Sequence, residues 1–188
     1  MGNIVSVCTI GQDSQKTGDP CEGSLIRLGG IDIPFEKPII ANSDGDVVLH
    51  AITNAVSGFT GINILGGEAD KICLEDGIKD SSVYLKKALE YMTDGKIIHC
   101  SVTIECLRPK LMPHIPQMKE SIGNLLGIPA SSVGIGCPKP ANSSSAVFNR
   151  SFIAFTILGK FSLIILKYIL VNLLIKTLVP RCPAGKFL

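Results

Sequence analysis

The sequence predicts a single α+β domain in which helices pack on one face of a mixed β-sheet. Apolar and polar residues alternate across Lys96–Leu107, which is typical of a strand buried on one face. Apolar residues recur with a helical period after Asp46 and again over His114–Leu126. No internal repeat or long linker divides the chain before residue 137, and 188 residues are enough to bury one core.

The first third of the chain contains two predicted strand regions. Asn3–Ile10 is rich in β-forming residues, and Gly11–Gln15 after it has turn chemistry. Leu25–Leu28 and Ile31–Pro34 are predicted to form a hairpin, because the two glycines between them can supply the positive φ angles of a two-residue turn.

The following part of the chain is predicted to place helices between strands. Its elements are a loop over Gly58–Gly67, a helix from Ser81 to about Met92 capped by Asp80, the strand Lys96–Leu107, the helix His114–Leu126 ended by Gly127, and a strand over Ser131–Gly136.

A tight turn leads into the first predicted helix. Ser43 or Asp44 is predicted to cap this helix. Asp46, His50 and Asn54 are four residues apart, which predicts that they share its polar face. In that arrangement, backbone N–H groups of the turn could bind a phosphate. The imidazole one turn further along the helix could bind a metal ion next to it. The alternative is a capped surface helix with a solvated histidine.

Charge and cysteine usage exclude some classes of protein. From Arg150 onward the chain has six basic residues and no acidic one, so residues 1–149 carry 12 basic against 16 acidic residues. That body has no basic cluster of the kind that binds nucleic acid. The odd number of cysteines and the lack of an apolar leader predict a reducing, cytoplasmic location; the cysteines are Cys8, Cys21, Cys73, Cys100, Cys106, Cys137 and Cys182.

Several short motifs occur in order over about residues 4–136. They are Ile10-Gly-Gln-Asp13, Gly29-Gly-Ile31 with Ile33-Pro34, Ser43-Asp-Gly-Asp46 with Leu49-His-Ala51, Asp80-Ser81, Pro109-Lys110 and Pro113-His-Ile-Pro-Gln-Met118. Together they resemble the 2-C-methyl-D-erythritol 2,4-cyclodiphosphate synthase family. The resemblance implies a homotrimer with active sites between subunits. It also implies an intramolecular phosphoryl transfer, in which 4-diphosphocytidyl-2-C-methyl-D-erythritol 2-phosphate forms the 2,4-cyclodiphosphate and releases CMP.

The resemblance implies a zinc site built from three residues of this chain. Asp13 and His50 stand where the family has two of its ligands. Gln15 stands at the third place, where the family has a histidine. An amide oxygen is a weaker zinc ligand than an imidazole, which predicts reduced zinc affinity. A second ion, magnesium or manganese, is expected from the family, but the carboxylate that would hold it is not found.

The resemblance also implies residues that contact the substrate. Asn42 replaces a family histidine at a catalytic, phosphate-contacting position, and Ser43 beside it is retained. Gly66 remains from a ribose-binding motif whose carboxylate is lost, and Glu68 or Asp70 could substitute for it. The cytosine pocket is expected to consist of Cys106, Pro109, Lys110, Leu111 and Met112.

Residues 137–188, called the tail below, depart from the family. The diphosphate-binding and second-metal motifs are absent, and the tail is apolar and basic. The leading interpretation is a change of reading frame near Cys137, which would remove the final strand of the sheet; a lineage-specific membrane or partner segment is the alternative. The function is therefore expected to be an intact or impaired synthase. The rivals are a non-catalytic cytidine-nucleotide-binding relic and a membrane-associated interaction protein.

Overall fold

The computed structural model describes residues 7–67, 77–93 and 95–138 and the backbone of residues 151–158. They fall within one compact unit, Val7–Lys160. The strands are β1 (Thr9–Thr17), β2 (Leu25–Leu28), β3 (Ile31–Pro34), β4 (Ile39–Ile40), β5 (Cys100–Glu105), β6 (Val133–Gly136) and β7 (Ser151–Leu158), and the helices are α1 (Val47–Thr60), α2 (Ser81–Glu90) and α3 (Ile115–Leu126).

The predicted α+β fold with a mixed sheet is confirmed. Five described strands form one sheet in the order β4-β1-β7-β5-β6, and β2 with β3 forms a separate hairpin. β5 and β6 are parallel, whereas β7 is antiparallel to both of its neighbours. The residues buried most completely come from all three helices, from the hairpin and from the inward side of β5.

Part of the tail belongs to this sheet. Ser151–Leu158 is the strand β7, which pairs with β1 along one edge and with β5 along the other. The expectation that the sheet lacks its final strand is therefore wrong for the described backbone. The proposed boundary after residue 136, and the change of reading frame, stay predictions. The other residues of the tail beyond Pro138 lie outside the described part of the chain.

The predicted turn at Gly11–Gln15 is wrong, because β1 continues through it to Thr17. β1 pairs with β7 over Thr9–Lys16 and with β4 at Lys16 and Thr17, so the pairing with β7 outweighs the local turn preference. Gly11 is needed where α1 crosses the strand, since a Cβ atom there would lie 1.9 Å from the Ala51 carbonyl oxygen. The predicted strand residues 3–6 lie outside the described residues.

The first helix is longer and more buried than predicted. The predicted apolar face is confirmed, and Leu49 and Thr53 on other sides of the helix are also buried. The helix contacts β1, β2 and α2, which explains burial around most of its circumference. It runs to Thr60 and ends at Gly61 in the left-handed conformation, so the loop predicted from Gly58 begins three residues later.

The remaining predicted helices and strands are present, but β5 spans only Cys100–Glu105 of the strand predicted over Lys96–Leu107. Asp80 caps α2, whose regular part ends at Glu90. Cys100, Val102 and Ile104 of β5 are buried, and the residues between them are half-buried. A 3-10 turn at Met112–His114 precedes α3, and Gly127 ends that helix with a φ of 67°.

Candidate functional site

Asp46 is the cap of α1, and the predicted cap at Ser43 or Asp44 is wrong. Its carboxylate accepts hydrogen bonds from the N–H groups of Val48 and Leu49 at 3.1 and 3.0 Å. It also accepts from Gly29 and Gly30 in the hairpin turn, at 2.9 and 2.6 Å. These donors satisfy a side chain with no exposed surface. Burial raises the pKa of Asp46, and the bonds from Leu49, Gly30 and Gly29 oppose that rise.

Asp44 ties the loop before α1 to the start of α2. Its carboxylate accepts the Ser81 N–H at 3.0 Å and also the Ser81 hydroxyl. Its own N–H donates to the Lys79 carbonyl oxygen at 2.9 Å. The N-terminus of α2 is thus fixed to the turn that carries Ser43.

His50 lies at the centre of a hydrogen-bonded cluster. Its Nδ1 is 3.1 Å from Asp13 Oδ2, and its Nε2 is 2.9 Å from Ser81 Oγ and 3.5 Å from Ser43 Oγ. The histidine is only 8% exposed. The predicted shared face is confirmed for His50 and Asn54, which line one cleft, and the Asn54 amide donates to the Gln12 carbonyl oxygen at 2.9 Å. It is wrong for Asp46, whose carboxylate is fully buried against the hairpin turn.

Asp13 and Gln15 point to the same side of β1 because they are two residues apart on a strand. The Gln15 amide nitrogen donates to Asp13 Oδ2 at 3.2 Å. They open onto a cleft of about 680 Å³, called the first cleft below. The first cleft is lined by Asp13, Gln15, Ile40, Ala41, Asn42, Ser43, His50, Asn54, Leu65, Gly66 and Tyr84.

The residues of the first cleft fit a divalent cation with two strong ligands and one weak ligand. A tetrahedral zinc ion with ligand distances near 2.1 Å separates neighbouring ligand atoms by about 3.4 Å. The 3.1 Å between His50 Nδ1 and Asp13 Oδ2 is close to that separation. Gln15 can add an amide oxygen but no charge. Accordingly, the described residues contain no group of three or more His, Cys, Asp or Glu side chains placed to hold a metal.

The predicted cytosine-pocket segment lines a different cleft, called the second cleft below. This cleft measures about 660 Å³. Of the predicted residues, Pro109 and Lys110 line it, whereas Cys106, Leu111 and Met112 do not. Leu111 is buried at 3% exposure, and Met112 is 71% exposed. The full lining is Cys21, Glu22, Gly23, Ser24, Pro34, Phe35, Glu36, Leu107, Arg108, Pro109 and Lys110.

Within one chain, the predicted site residues thus form two groups. Asp13, Gln15, His50, Asn42, Ser43 and Gly66 share the first cleft, and Pro109 with Lys110 lies on the second. The proposed ribose substitutes Glu68 and Asp70 lie outside the described residues.

Two polar residues beside the first cleft were not predicted as site residues. Asp44 was considered only as a helix cap and Ser81 as the start of a helix, yet Ser81 contacts His50 and Asp44 contacts Ser81. Their positions in the Ser43-Asp-Gly-Asp46 and Asp80-Ser81 motifs are the sequence signal that could have identified them.

Comparisons with known proteins identify the family of this chain. A model of the YgbB family matches residues 7–144. The chain belongs to this family. Its relatives include the 2-C-methyl-D-erythritol 2,4-cyclodiphosphate synthase of Chlamydia abortus, which is 42% identical over 127 residues; these cover 67% of this chain and 72% of the relative.

This YgbB-family chain has the same fold as solved structures of 2C-methyl-D-erythritol-2,4-cyclodiphosphate synthases. One 2C-methyl-D-erythritol-2,4-cyclodiphosphate synthase matches 81% of this chain and 98% of its own, with a TM-score of 0.66 and 27% identity. A form of such an enzyme bound to CDP matches with the same TM-score, coverage of 81% and 98%, and 25% identity. No helix in the described part of the chain combines the length and apolar character needed to cross a membrane.

Proposed function

We propose that the protein is a cyclodiphosphate synthase, which converts 4-diphosphocytidyl-2-C-methyl-D-erythritol 2-phosphate to 2-C-methyl-D-erythritol 2,4-cyclodiphosphate and CMP. The observation that carries this proposal is the Asp13–His50 pair, whose Oδ2 and Nδ1 atoms lie 3.1 Å apart in the first cleft. The family match, over residues 7–144, includes the residues that line both clefts. In the reaction, a 2-phosphate oxygen bonds to the β-phosphorus of the same molecule. The bond from that phosphorus to CMP breaks, so no protein nucleophile is required.

The main task of the site is to bring two anionic phosphates together. Asp13 and His50, with Gln15 as the weak third ligand, would hold a divalent metal, zinc in this proposal. When bound, that ion would supply positive charge that lowers phosphate repulsion and stabilises developing charge. Asn42 and Ser43 line the same cleft and can donate amide and hydroxyl hydrogens to phosphate oxygens. A second ion is left out, because the sequence has no acidic residue after Glu120.

The division of the site between two clefts supports a homotrimeric enzyme. One cleft offers metal-ligating side chains, and the other offers Lys110 beside a loop of backbone groups. An elongated substrate with phosphates at one end and cytosine at the other would contact the first cleft of one subunit and the second cleft of its neighbour. We place the protein in the reducing cytoplasm, which is supported by the free thiols of the described cysteines.

The test follows CMP release from the full-length protein supplied with zinc, magnesium and the proposed substrate. His50→Ala should remove the activity, whereas His99→Ala, directly before β5 and outside both cleft linings, should retain it. Light scattering should give three times the 20.0 kDa chain mass. CMP release no higher than in His50→Ala would reject the enzyme, and CDP binding in that case would identify the nucleotide-binding relic.

A further inference from the structure

The Ser81 hydroxyl lies between an acidic and an imidazole side chain. Its oxygen is hydrogen-bonded to Asp44 Oδ1 and is 2.9 Å from His50 Nε2. The opposite ring nitrogen, Nδ1, faces Asp13 Oδ2 at 3.1 Å. Asp44, Ser81, His50 and Asp13 therefore form one continuous chain of polar contacts.

The direction of each hydrogen bond in this chain follows from which atoms carry hydrogen. An ionised carboxylate accepts hydrogen bonds but cannot donate them. The hydroxyl of Ser81 has one hydrogen, so it donates that hydrogen to Asp44. Its oxygen must then accept from His50, which places a hydrogen on Nε2. Arg27 Nε lies 3.8 Å from Asp44 Oδ2 and places a positive charge beside this end of the chain.

This arrangement leaves Nδ1 of a neutral His50 with a lone pair that faces the Asp13 carboxylate. Two acceptors at 3.1 Å repel each other unless a positive charge lies with them. We propose that Asp44 and Ser81 are positioning residues, which hold the His50 hydrogen on Nε2 so that Nδ1 and Asp13 converge on one divalent cation. This inference rests on the metal site of the proposed function and names the residues that orient it.

Several contacts keep this chain rigid. Ser81 has no exposed surface, and its N–H donates to the second oxygen of Asp44 at 3.0 Å. Asp44 is fixed in turn by its own N–H bond to Lys79. Outer partners of this kind commonly set which nitrogen of a histidine binds the metal.

The serine does not act as a nucleophile here. A hydroxyl, an imidazole and a carboxylate in sequence also occur in serine hydrolases, where the histidine removes the serine proton. In this protein the Ser81 proton goes to Asp44, and the hydroxyl is inaccessible to a substrate. The chain of contacts therefore serves to orient His50.

The sharpest test is a variant that reverses the direction of the hydrogen bonds between residue 44, Ser81 and His50 while keeping the shape of the side chain at residue 44. In Asp44→Asn, the amide can donate to Ser81, which then donates to Nε2 and moves the histidine hydrogen to Nδ1. Two-bond ¹⁵N–¹H NMR of histidine-labelled protein, with and without zinc, reads the ring nitrogens directly, and His50→Gln assigns the His50 signals. Zinc affinity is measured by competition with a chromogenic chelator. Asp32→Asn is the matched control, since Asp32 also pairs with Arg27 but does not contact Ser81.

The expected results distinguish this inference from the proposed function. Wild-type His50 should carry hydrogen on Nε2 both with and without zinc. Asp44→Asn should lower zinc affinity by roughly 10- to 100-fold, whereas Asp32→Asn should leave it unchanged. Hydrogen on Nδ1 alone in the zinc-free wild type, or zinc on Nε2, would overturn the inference. The ¹⁵N signals of the His50 ring are measured without substrate. The inference can therefore be tested even if the protein does not release CMP.

A second variant guards against misfolding of Asp44→Asn. Ser81→Ala removes the bridging hydroxyl and should lower zinc affinity to a similar extent, whereas Ser81→Thr, which keeps a hydroxyl, should restore most of it. Ser82→Ala, the next residue of α2, is the control. Equal zinc affinity in Ser81→Ala and wild type would refute the positioning role.

Discussion

The two clefts of this protein are formed by different kinds of residues. Buried side chains fix the first cleft: Asp46 holds the hairpin turn against α1, and Asp44 with Ser81 holds His50. The second cleft is formed mainly by two loops, and its charged residues are exposed: Glu22, Glu36, Arg108 and Lys110. In the proposed function, the first cleft places a metal ion and the second binds a flexible nucleotide through backbone groups and Lys110.

This difference explains why substitutions should act differently in the two places. A side chain with several buried partners affects both folding and the metal site when it is removed. An exposed side chain on a loop affects only the ligand that contacts it. The predictions below test this separation.

The largest effect is expected for Asp46→Ala, which leaves the N–H groups of Gly29, Gly30, Val48 and Leu49 without their acceptor. Loss of a helix cap and of buried hydrogen bonds should lower the free energy of unfolding by about 3 kcal/mol. Urea denaturation followed by circular dichroism measures this change. Lys110→Ala, on the second cleft, should change it by less than about 0.5 kcal/mol. A loss below about 1 kcal/mol for Asp46→Ala would contradict the assigned clamp.

A smaller and more local effect is expected for Lys110→Ala in the second cleft. A lysine that contacts phosphate makes a charge-assisted hydrogen bond, so its loss should weaken CDP binding by roughly 10- to 30-fold. Calorimetric titration with CDP and with cytidine checks the assignment, because cytidine has no phosphate and should bind both proteins alike. Lys119→Ala on α3, outside both cleft linings, is the control. An equal loss for cytidine would show that Lys110 shapes the pocket instead of contacting phosphate.

The features that the sequence could predict are local or carried by the family resemblance. The hairpin follows from Gly29-Gly30, and the buried stripe of α1 follows from its helical period. Asp13 and His50 could be paired only through the resemblance, because 37 residues separate them. No periodic pattern connects positions on different elements.

The features that were missed depend on contacts between distant segments. β1 continues through a turn-like sequence because β7, from the tail, pairs with it. Asp46 is buried because its other donors come from the hairpin, 16 and 17 residues earlier. The polar-face prediction had no information about the partners that cover that face. Ser81 reaches Asp44 across 37 residues in the same way.

Gln15→His should strengthen the first cleft without changing the second. Residue 15 lies beside Asp13 on the same side of β1, where an imidazole would replace a weak amide ligand. Zinc affinity should rise by roughly 5- to 10-fold. The matched control is Gln12→His, which adds a histidine on the opposite side of the same strand. Unchanged zinc affinity in Gln15→His would argue against residue 15 as a ligand, and CDP affinity should stay at the wild-type value in both variants.

The smallest effect concerns the thiols at and near the second cleft. Burial first, and then the neighbouring Cys137, raises the pKa of Cys106 to about 12. Its thiol therefore stays protonated at pH 8, and alkylation of Cys106 should become faster as the pH rises towards 12. Cys21 lines the second cleft and is exposed, so iodoacetamide should modify it before Cys106.

Ligands then test which cleft Cys21 reports on. CDP should slow the modification of Cys21 several-fold because it would occupy the second cleft, whereas zinc alone should not, since the proposed ligands lie in the first cleft. Peptide mass spectrometry after timed labelling separates Cys21 from the other cysteines, and exposed Cys8, outside both cleft linings, is the internal control. Protection by zinc and not by CDP would mean that the metal, not the nucleotide, acts at the second cleft, and the division of roles between the two clefts would have to be reversed.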